Sequence, residues 1–302
     1  MTSPTYKSMA DVLRTPGDRF DSVPAFPYEP SYVETDHARM AYADVGTGRP
    51  VLCVHGMLTW SFLYRETIPS LENRRVLLPD LVGFGRSDKY RRPADHDLLD
   101  HARALEAFVE SLDLHRATLV CQDWAGLVAL AALSELEARI ERLVLLNVPF
   151  RVDERGYLRM TSAFHETKSF IENADEIPIR MLLEQGTESE IDAAVLDAYE
   201  APFPSGTYEA AIRAFPRSFP LEPPDVGADA LADARDILAA WNKPLLLLYG
   251  TDDPISRPMA EWILELVPEA AASTVEWVPG GHFLAEDSGE RVGVRIHEFL
   301  DG

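Results

Sequence analysis

The stretch TLVCQDWAGLVAL, Thr118 to Leu130, decides how this chain is read. An apolar run from Thr118 to Cys121 breaks at Gln122-Asp123-Trp124, then passes through Ala125-Gly126 into Leu127-Val128-Ala129-Leu130. That is the pattern of a strand, a tight turn and a helix. The tip of such a turn displays a side chain at the end of a sheet, and here it displays the carboxylate of Asp123 beside the indole of Trp124. In the esterase form of this elbow the displayed residue is a serine. The question is what chemistry wants a carboxylate there.

Strand and helix patterns alternate outward from the elbow. Arg39 to Asp44, Val51 to Val54, Arg75 to Pro79, Ala117 to Cys121 and Arg142 to Asn147 read as strands, and Leu98 to Leu112 reads as an amphipathic helix. The rhythm stops after Pro149 and resumes at KPLLLLYG, Lys243 to Gly250. A helix near Met259 to Leu266, a strand at Ser273 to Val278 and a last helix near Glu290 to Leu300 follow. This is the order of an α/β fold, a mostly parallel central sheet flanked by helices. The proline-rich helical interval is expected to be a cap, residues 150–240, inserted in a core made of 1–149 and 241–302. No internal repeat or low-complexity tract is evident.

Bulk properties fit one enzyme-sized unit. A chain of 302 residues with 46% hydrophobic content can bury one large core. Its net charge of -22 argues against nucleic acid or an anionic membrane as partner, because a polyanion is repelled. The lysines are Lys7, Lys89, Lys168 and Lys243, so the basic residues are mostly arginine. An acidic surface of this kind suits either high salt or an arginine-biased composition. Met1 to Pro16 is polar, and no apolar run approaches the roughly 18 residues that span a bilayer. A soluble, unsecreted, cytoplasmic protein is expected. Cys53 and Cys121 lie in apolar strands without paired spacing, which predicts buried thiols and no disulfide or metal motif.

Three sets of ionisable residues follow strands: Asp123, the pair Asp252-Asp253 after LLLLYG, and His282 after VEWVPGG. Strand ends are where open α/β sheets hold their ligands. Nucleophile, acid, histidine is also the chain order of the α/β-hydrolase triad. Val54-His55-Gly56 is a further strand end, whose following backbone N–H is placed to face an oxyanion.

HGMLTWSFLYR (His55 to Arg65), PDLVGFGRSDK (Pro79 to Lys89), QDWAG (Gln122 to Gly126), YEAPFPSGTYEAAIRAFP (Tyr199 to Pro216), GTDDPIS (Gly250 to Ser256) and GGHFLAED (Gly280 to Asp287) together resemble the haloalkane dehalogenases. The resemblance runs from about Arg14 to the C-terminus. Its glycine-rich and triad pieces are shared with epoxide hydrolases, whereas the Gln-Asp-Trp elbow and the Ala-Pro-Phe-Pro stretch are more specific. It implies the α/β-hydrolase fold with a helical cap and a cofactor-independent, metal-free hydrolase. The expected partners are a small apolar halogenated substrate, water and the halide product.

The resemblance also implies an answer to the carboxylate at the elbow. Displacement at an sp³ carbon needs only an ionised carboxylate, so Asp123 is expected to form an alkyl ester and His282 to activate the water that hydrolyses it. It places the triad acid at Asp253, in the subfamily whose acid follows the late strand, and leaves Asp252 to the turn. In another branch the acid follows the strand that ends here at Asn147, which is not a carboxylate. Asn147 is then free to orient a water or a loop. Backbone N–H groups of Met57 and Trp124 are the expected oxyanion donors, and the Trp124 indole, a donor that cannot accept, is the expected halide donor. Trp60 is expected to be structural.

Two departures stand out. Met57 replaces a residue that relatives usually have as Glu or Asn, and none of the five tryptophans falls in 150–240, where the resembled subfamily has a second halide-binding indole. Thr167 occupies the matching place, with His165, Lys168, Asn173 and Gln185 as other polar candidates. The alternative function is an epoxide hydrolase, which uses the same nucleophile and histidine but needs cap tyrosines such as Tyr157, Tyr199 or Tyr208.

Overall fold

The computed structural model describes residues 12–35, 38–269, 271–272 and 274–302. In chain order it forms β1 (Val12–Leu13), β2 (Ser31–Glu34), β3 (Arg39–Gly46), β4 (Arg49–Val54), β5 (Arg74–Pro79), β6 (Lys89–Tyr90), α1 (Leu98–Ser111), β7 (Ala117–Gln122), α2 (Trp124–Ala131), α3 (Leu133–Leu136) and β8 (Ile140–Leu146). Then come α4 (Ser162–Asn173), α5 (Ile179–Gly186), α6 (Ala193–Glu200), α7 (Ala210–Ala214) and α8 (Ala228–Ala239), followed by β9 (Leu245–Gly250), α9 (Arg257–Leu266), β10 (Val275–Val278), α10 (Leu284–Asp287) and α11 (Gly289–Asp301).

Eight strands form one sheet in the order β10-β9-β8-β7-β4-β5-β3-β2. From β10 to β5 every pairing is parallel, and β3 and β2 add an antiparallel edge. Parallel strands buried on both faces read as continuous apolar runs. Accordingly β7 and β9 are buried at every position. Fully burying a leucine of the Leu245 to Leu248 run contributes about 1.5 to 3 kcal/mol, which is why these strands were the easiest to see in the sequence. Cys53 and Cys121 lie on the neighbouring strands β4 and β7 as buried free thiols, and burial pushes both well up from the ordinary thiol value.

The order of the strands fixes where a site can form. From β4 the chain steps to β5 on one side and later to β7 on the other, so the crevice beyond β4 and β7 is the switch point where ligands of open α/β sheets bind. Asp123 follows β7 and His55-Gly56-Met57 follows β4, one on each side of that crevice. The interval between β8 and β9 contributes α4 to α8 and no strand of the eight-stranded sheet. Within it α8 packs against α2 and α3 of the sheet layer, while α5 packs on α6.

Several expected elements differ at their ends. The last strand is observed over Val275–Val278, and Ser273 lies outside the described residues, as does most of Met1 to Pro16. Lys89 is not a surface lysine: its amine is fully buried and donates to the carbonyls of Gly85 (2.7 Å) and Ser87 (3.1 Å). Burial, opposed by Asp80 and Asp88, pushes its pKa down to about 7. Among the described residues no helix is long and apolar enough to cross a membrane.

Candidate active site

The turn from β7 to α2 holds Asp123 at φ 54°, ψ -128°. A non-glycine residue in that region costs roughly 1 to 3 kcal/mol and persists only where its surroundings enforce it. The enforcement is visible: Asp123 N donates to Leu146 O (3.0 Å), and Gly126 N closes the turn on Asp123 O (2.9 Å). Gly126 also lets α2 approach the sheet, since a Cβ there would stand 2.3 Å from the Val148 side chain. Gly56 does the same for β4: a Cβ would lie 2.8 Å from both Cβ and Oδ2 of Asp123. The two strand ends are thus pressed together around one carboxylate.

Asp123, Asp253 and His282 are brought together. His282 Nδ1 lies 3.1 Å from Asp253 Oδ1, and its Nε2 lies 3.3 Å from Asp123 Oδ1. An ionised carboxylate only accepts, so Nδ1 is the donor towards Asp253. Asp253 is 1% exposed and also accepts from the backbone N–H groups of Ile255 (2.9 Å) and Ser256 (3.2 Å) and from the Ser256 hydroxyl. Burial works against its charge, but His282 and these donors outweigh it and hold its pKa below the ordinary value. Burial likewise opposes the charge on His282, yet Asp253 and Asp123 on either side raise its pKa well above that of a free imidazole. Asp252 sits differently: it is exposed and its carboxylate accepts from the Thr251 hydroxyl (2.5 Å).

The Met57 N–H donates to Asp123 Oδ2 at 3.1 Å. Trp124 is the first residue of α2, so its N–H belongs to the four that a helix leaves without an intrahelical acceptor. The loop carrying Met57 is fixed by His55. Leu81 N donates to its Nε2 (3.0 Å), which leaves Nδ1 as the protonated nitrogen, 2.8 Å from Gly56 O. Burial lowers the His55 pKa and keeps that neutral tautomer.

Two cavities open over Asp123 and share Met57, Asp123, Thr167, Ile255 and His282 in their walls. The inner one, about 30 Å³, is walled by Trp124, Phe164 and Phe219. A water-sized sphere needs about 10 to 15 Å³, so this space suits a single small ion. The Trp124 indole N–H is buried without a hydrogen-bond partner, and the ring centroid lies 4.0 Å from those of Phe215 and Phe219. The outer cavity, about 180 Å³, continues past Leu182, Gln185 and Glu188. Thr167 on α4 faces both cavities, and Lys168 lines the inner one while paired with Glu172. Of the other polar candidates, Gln185 reaches only the outer cavity, and His165 and Asn173 line neither. Trp60 donates instead to Ala198 O (3.0 Å) and stacks on Phe62.

Other residues support the site through partners far along the chain. Asn147, at φ 47°, donates to Gly281 O (2.8 Å) and His282 O (2.9 Å) and accepts from Gly250 N (2.8 Å). It ties the ends of β8 and β9 to the histidine loop, an oriented loop of the kind the sequence left open for it. Gln122 accepts from Ala285 N (3.1 Å) and Ser256 caps the acid. Below His282, Glu286 receives both guanidinium arms of Arg65 (2.6 and 2.5 Å) and the Tyr199 hydroxyl (2.6 Å). Arg65 and Glu286 lie within the stretches HGMLTWSFLYR and GGHFLAED, but nothing in the sequence assigns either a role.

Known proteins place this arrangement in a family. Residues 49–184 match the family model of the alpha/beta hydrolase fold. A haloalkane dehalogenase of Mycobacterium marinum is 39% identical over 295 residues, 95% of this chain and 98% of the relative. One of Psychrobacter cryohalolentis is 32% identical over 299 residues, 96% of this chain and 98% of the relative. The tetrameric structure of a haloalkane dehalogenase from Paraglaciecola agarilytica NO2 superimposes with a TM-score of 0.86 at 29% identity, covering 94% of this chain and 97% of that one. With its α/β-hydrolase fold, the chain belongs to the haloalkane dehalogenase family.

Proposed function

We propose that the protein hydrolyses haloalkanes to alcohol and halide through an ester on Asp123, with His282 as base, Asp253 as its partner in an Asp-His-Asp triad, and residues 150–240 as the cap. The carrying observation is an elbow carboxylate that touches the histidine on one oxygen and a backbone N–H on the other, beneath an unpartnered indole. Asp123 Oδ1 attacks the carbon, and the carbon–halogen electron pair leaves with the halide towards the Trp124 N–H. Oδ2 becomes the ester carbonyl oxygen on the Met57 and Trp124 N–H groups. With Asp123 esterified, His282 gives up any resting proton to solvent, and its neutral Nε2 then takes a proton from water, whose hydroxide adds to the ester carbon. Collapse expels the alkoxide, which takes that proton and leaves as alcohol, and Asp123, left as the acid, releases its proton to solvent and is again a carboxylate. The substrate, water and halide are the only partners this scheme requires. Halide release from a panel of bromo- and chloroalkanes tests it; no release from any member refutes it.

The charge on Asp123 helps to time the base. While both carboxylates are ionised they raise the His282 pKa against the effect of burial. Ester formation neutralises Asp123, and the imidazole then loses one of its two supports just before it must accept a proton. Asp123→Asn imitates that neutral state, so the His282 pKa should be lower in this variant than in the wild type. Titration of the imidazole by nuclear magnetic resonance measures it, and equal values in the two proteins contradict the coupling.

Epoxide hydrolysis finds less support. Tyr157, Tyr199 and Tyr208 line neither cavity over Asp123, and the Tyr199 hydroxyl is engaged by Glu286.

The halide cradle has consequences for the leaving group. Trp124 supplies one indole, and Thr167 is the residue proposed to complete the cradle from the cap. One neutral donor to a developing anion is worth on the order of 10² in rate, and chloride needs its donors more than bromide does. Cleavage of a bromoalkane is therefore expected to outrun that of its chloro counterpart by a wider margin than in a dehalogenase with two indoles. Thr167→Trp should narrow the margin if the wall yields, against an overpacking cost of roughly 1 to 3 kcal/mol. Single-turnover halide release measures the cleavage step, and equal rates for matched chloro and bromo substrates would show the cradle to be complete.

A further inference from the structure

We infer that the cavity over Asp123 selects substrates by charge, accepting haloalkanes whose far end is neutral or cationic and rejecting those whose far end is anionic. This rests on the dehalogenase reading and adds to it a substrate class.

The geometry gives a bound substrate a direction. The buried, unpartnered N–H of Trp124, a residue 0% exposed, marks the halogen end in the inner cavity. Asp123 and His282 border both cavities, so the reacting carbon lies between them. The rest of the molecule extends into the outer cavity, whose walls are largely apolar: Leu58, Ala163, Leu182, Pro254, Ile255 and Phe283. At its open side stand two carboxylates, Glu188 and Asp252, both exposed.

No cation offsets them there. Among the residues lining the outer cavity, His282 is the only group able to carry a positive charge, and it is held by Asp123 and Asp253. Behind the mouth lies a third carboxylate, Asp287, bonded by the N–H groups of Glu188, Ser189 and Gly281. An apolar-walled cleft with charges of one sign at its mouth focuses their field, and the chain as a whole carries -22. A unit charge about 4 Å from another in water changes binding by a factor of about five. Two mouth carboxylates therefore separate a cationic from an anionic substrate of equal length by roughly tenfold or more. Added salt should shrink that ratio, because both groups are exposed.

The test compares kcat/KM at low ionic strength for ω-bromopropyl-trimethylammonium, n-butyl bromide and ω-bromopropanesulfonate. The cation is expected to exceed the sulfonate by roughly tenfold or more. Sodium sulfate, and the double variant Glu188→Gln with Asp252→Asn, should each bring the ratio towards one. In parallel, halogen-free propyl-trimethylammonium and propanesulfonate are titrated against the wild type by nuclear magnetic resonance, which reads the charge preference without chemistry. Equal kcat/KM and equal affinity for cation and anion would overturn the inference, as would a ratio unchanged in the double variant. If no bromide were turned over while the cation still bound better than the sulfonate, the charge selection would stand and the dehalogenase reading would fall.

Discussion

His282→Phe is expected to release at most one equivalent of halide and then stop. The side chain that lies 3.3 Å from Asp123 and is proposed to activate water is gone, while the carboxylate and the indole that act in the first step remain. The ester should accumulate, and the peptide containing Asp123 should gain the mass of the alkyl group less one hydrogen. Loss of the base in a triad lowers turnover by about 10⁶, so steady-state activity should vanish from ordinary assays. Phenylalanine retains the ring volume beside Phe283, which keeps the loop packed. Mass spectrometry of the digested variant after incubation with an alkyl bromide decides the matter: continued halide release with an unmodified Asp123 peptide rejects the covalent mechanism.

Asp253→Asn is the second large effect. The asparagine can place its amide against the donors of Ile255 and Ser256, but it can also offer an N–H to His282 Nδ1 and so favour the wrong tautomer. Loss of the carboxylate behind a catalytic histidine costs about 10⁴ in turnover in a serine protease triad, and a comparable drop is expected here with the fold retained. Asp252→Asn changes an exposed side chain bonded to Thr251. It should leave turnover of a neutral bromide within about tenfold, since exposed charges act weakly on one another. Steady-state kinetics of the two variants measure this directly. A reversal of their order would move the acid by one residue.

That adjacent pair shows where sequence reading ran out of physical content. Asp252 and Asp253 have the same charge at the same strand end, and periodicity alone does not separate them. Their fates are set by backbone bonds from Thr251 to Val278 O and from Asp252 to Gly280 O, which turn one side chain out and the next one in. Those acceptors lie at the end of β10 and just after it, beyond any local pattern. The site's supports were hidden for the same reason, since Asn147 meets Gly281 and His282 from far along the chain. The elbow, by contrast, is local. A buried strand, a turn and a helix follow one another within Thr118 to Leu130, and the apolar runs of β8 and β9 announce themselves by composition. The outermost strand escaped because β2 buries only Val33 of its four residues, too little to show an alternation.

The unpartnered indole of Trp124 also bears on how long the product stays. A hydrogen bond to a charged partner is worth about 1.5 to 3 kcal/mol, so a halide on this N–H would be held by it. On the proposed roles, the same contact that draws the leaving group off carbon then delays its departure. Each further donor added to the cradle would deepen the well from which the ion must escape, so the step that limits turnover would pass from breaking the bond to emptying the pocket. On the same proposed roles, a cradle with one indole and a threonine would cleave poor leaving groups slowly and let go of good ones quickly. Its regime would then be short product dwell time on substrates that part with their halogen readily.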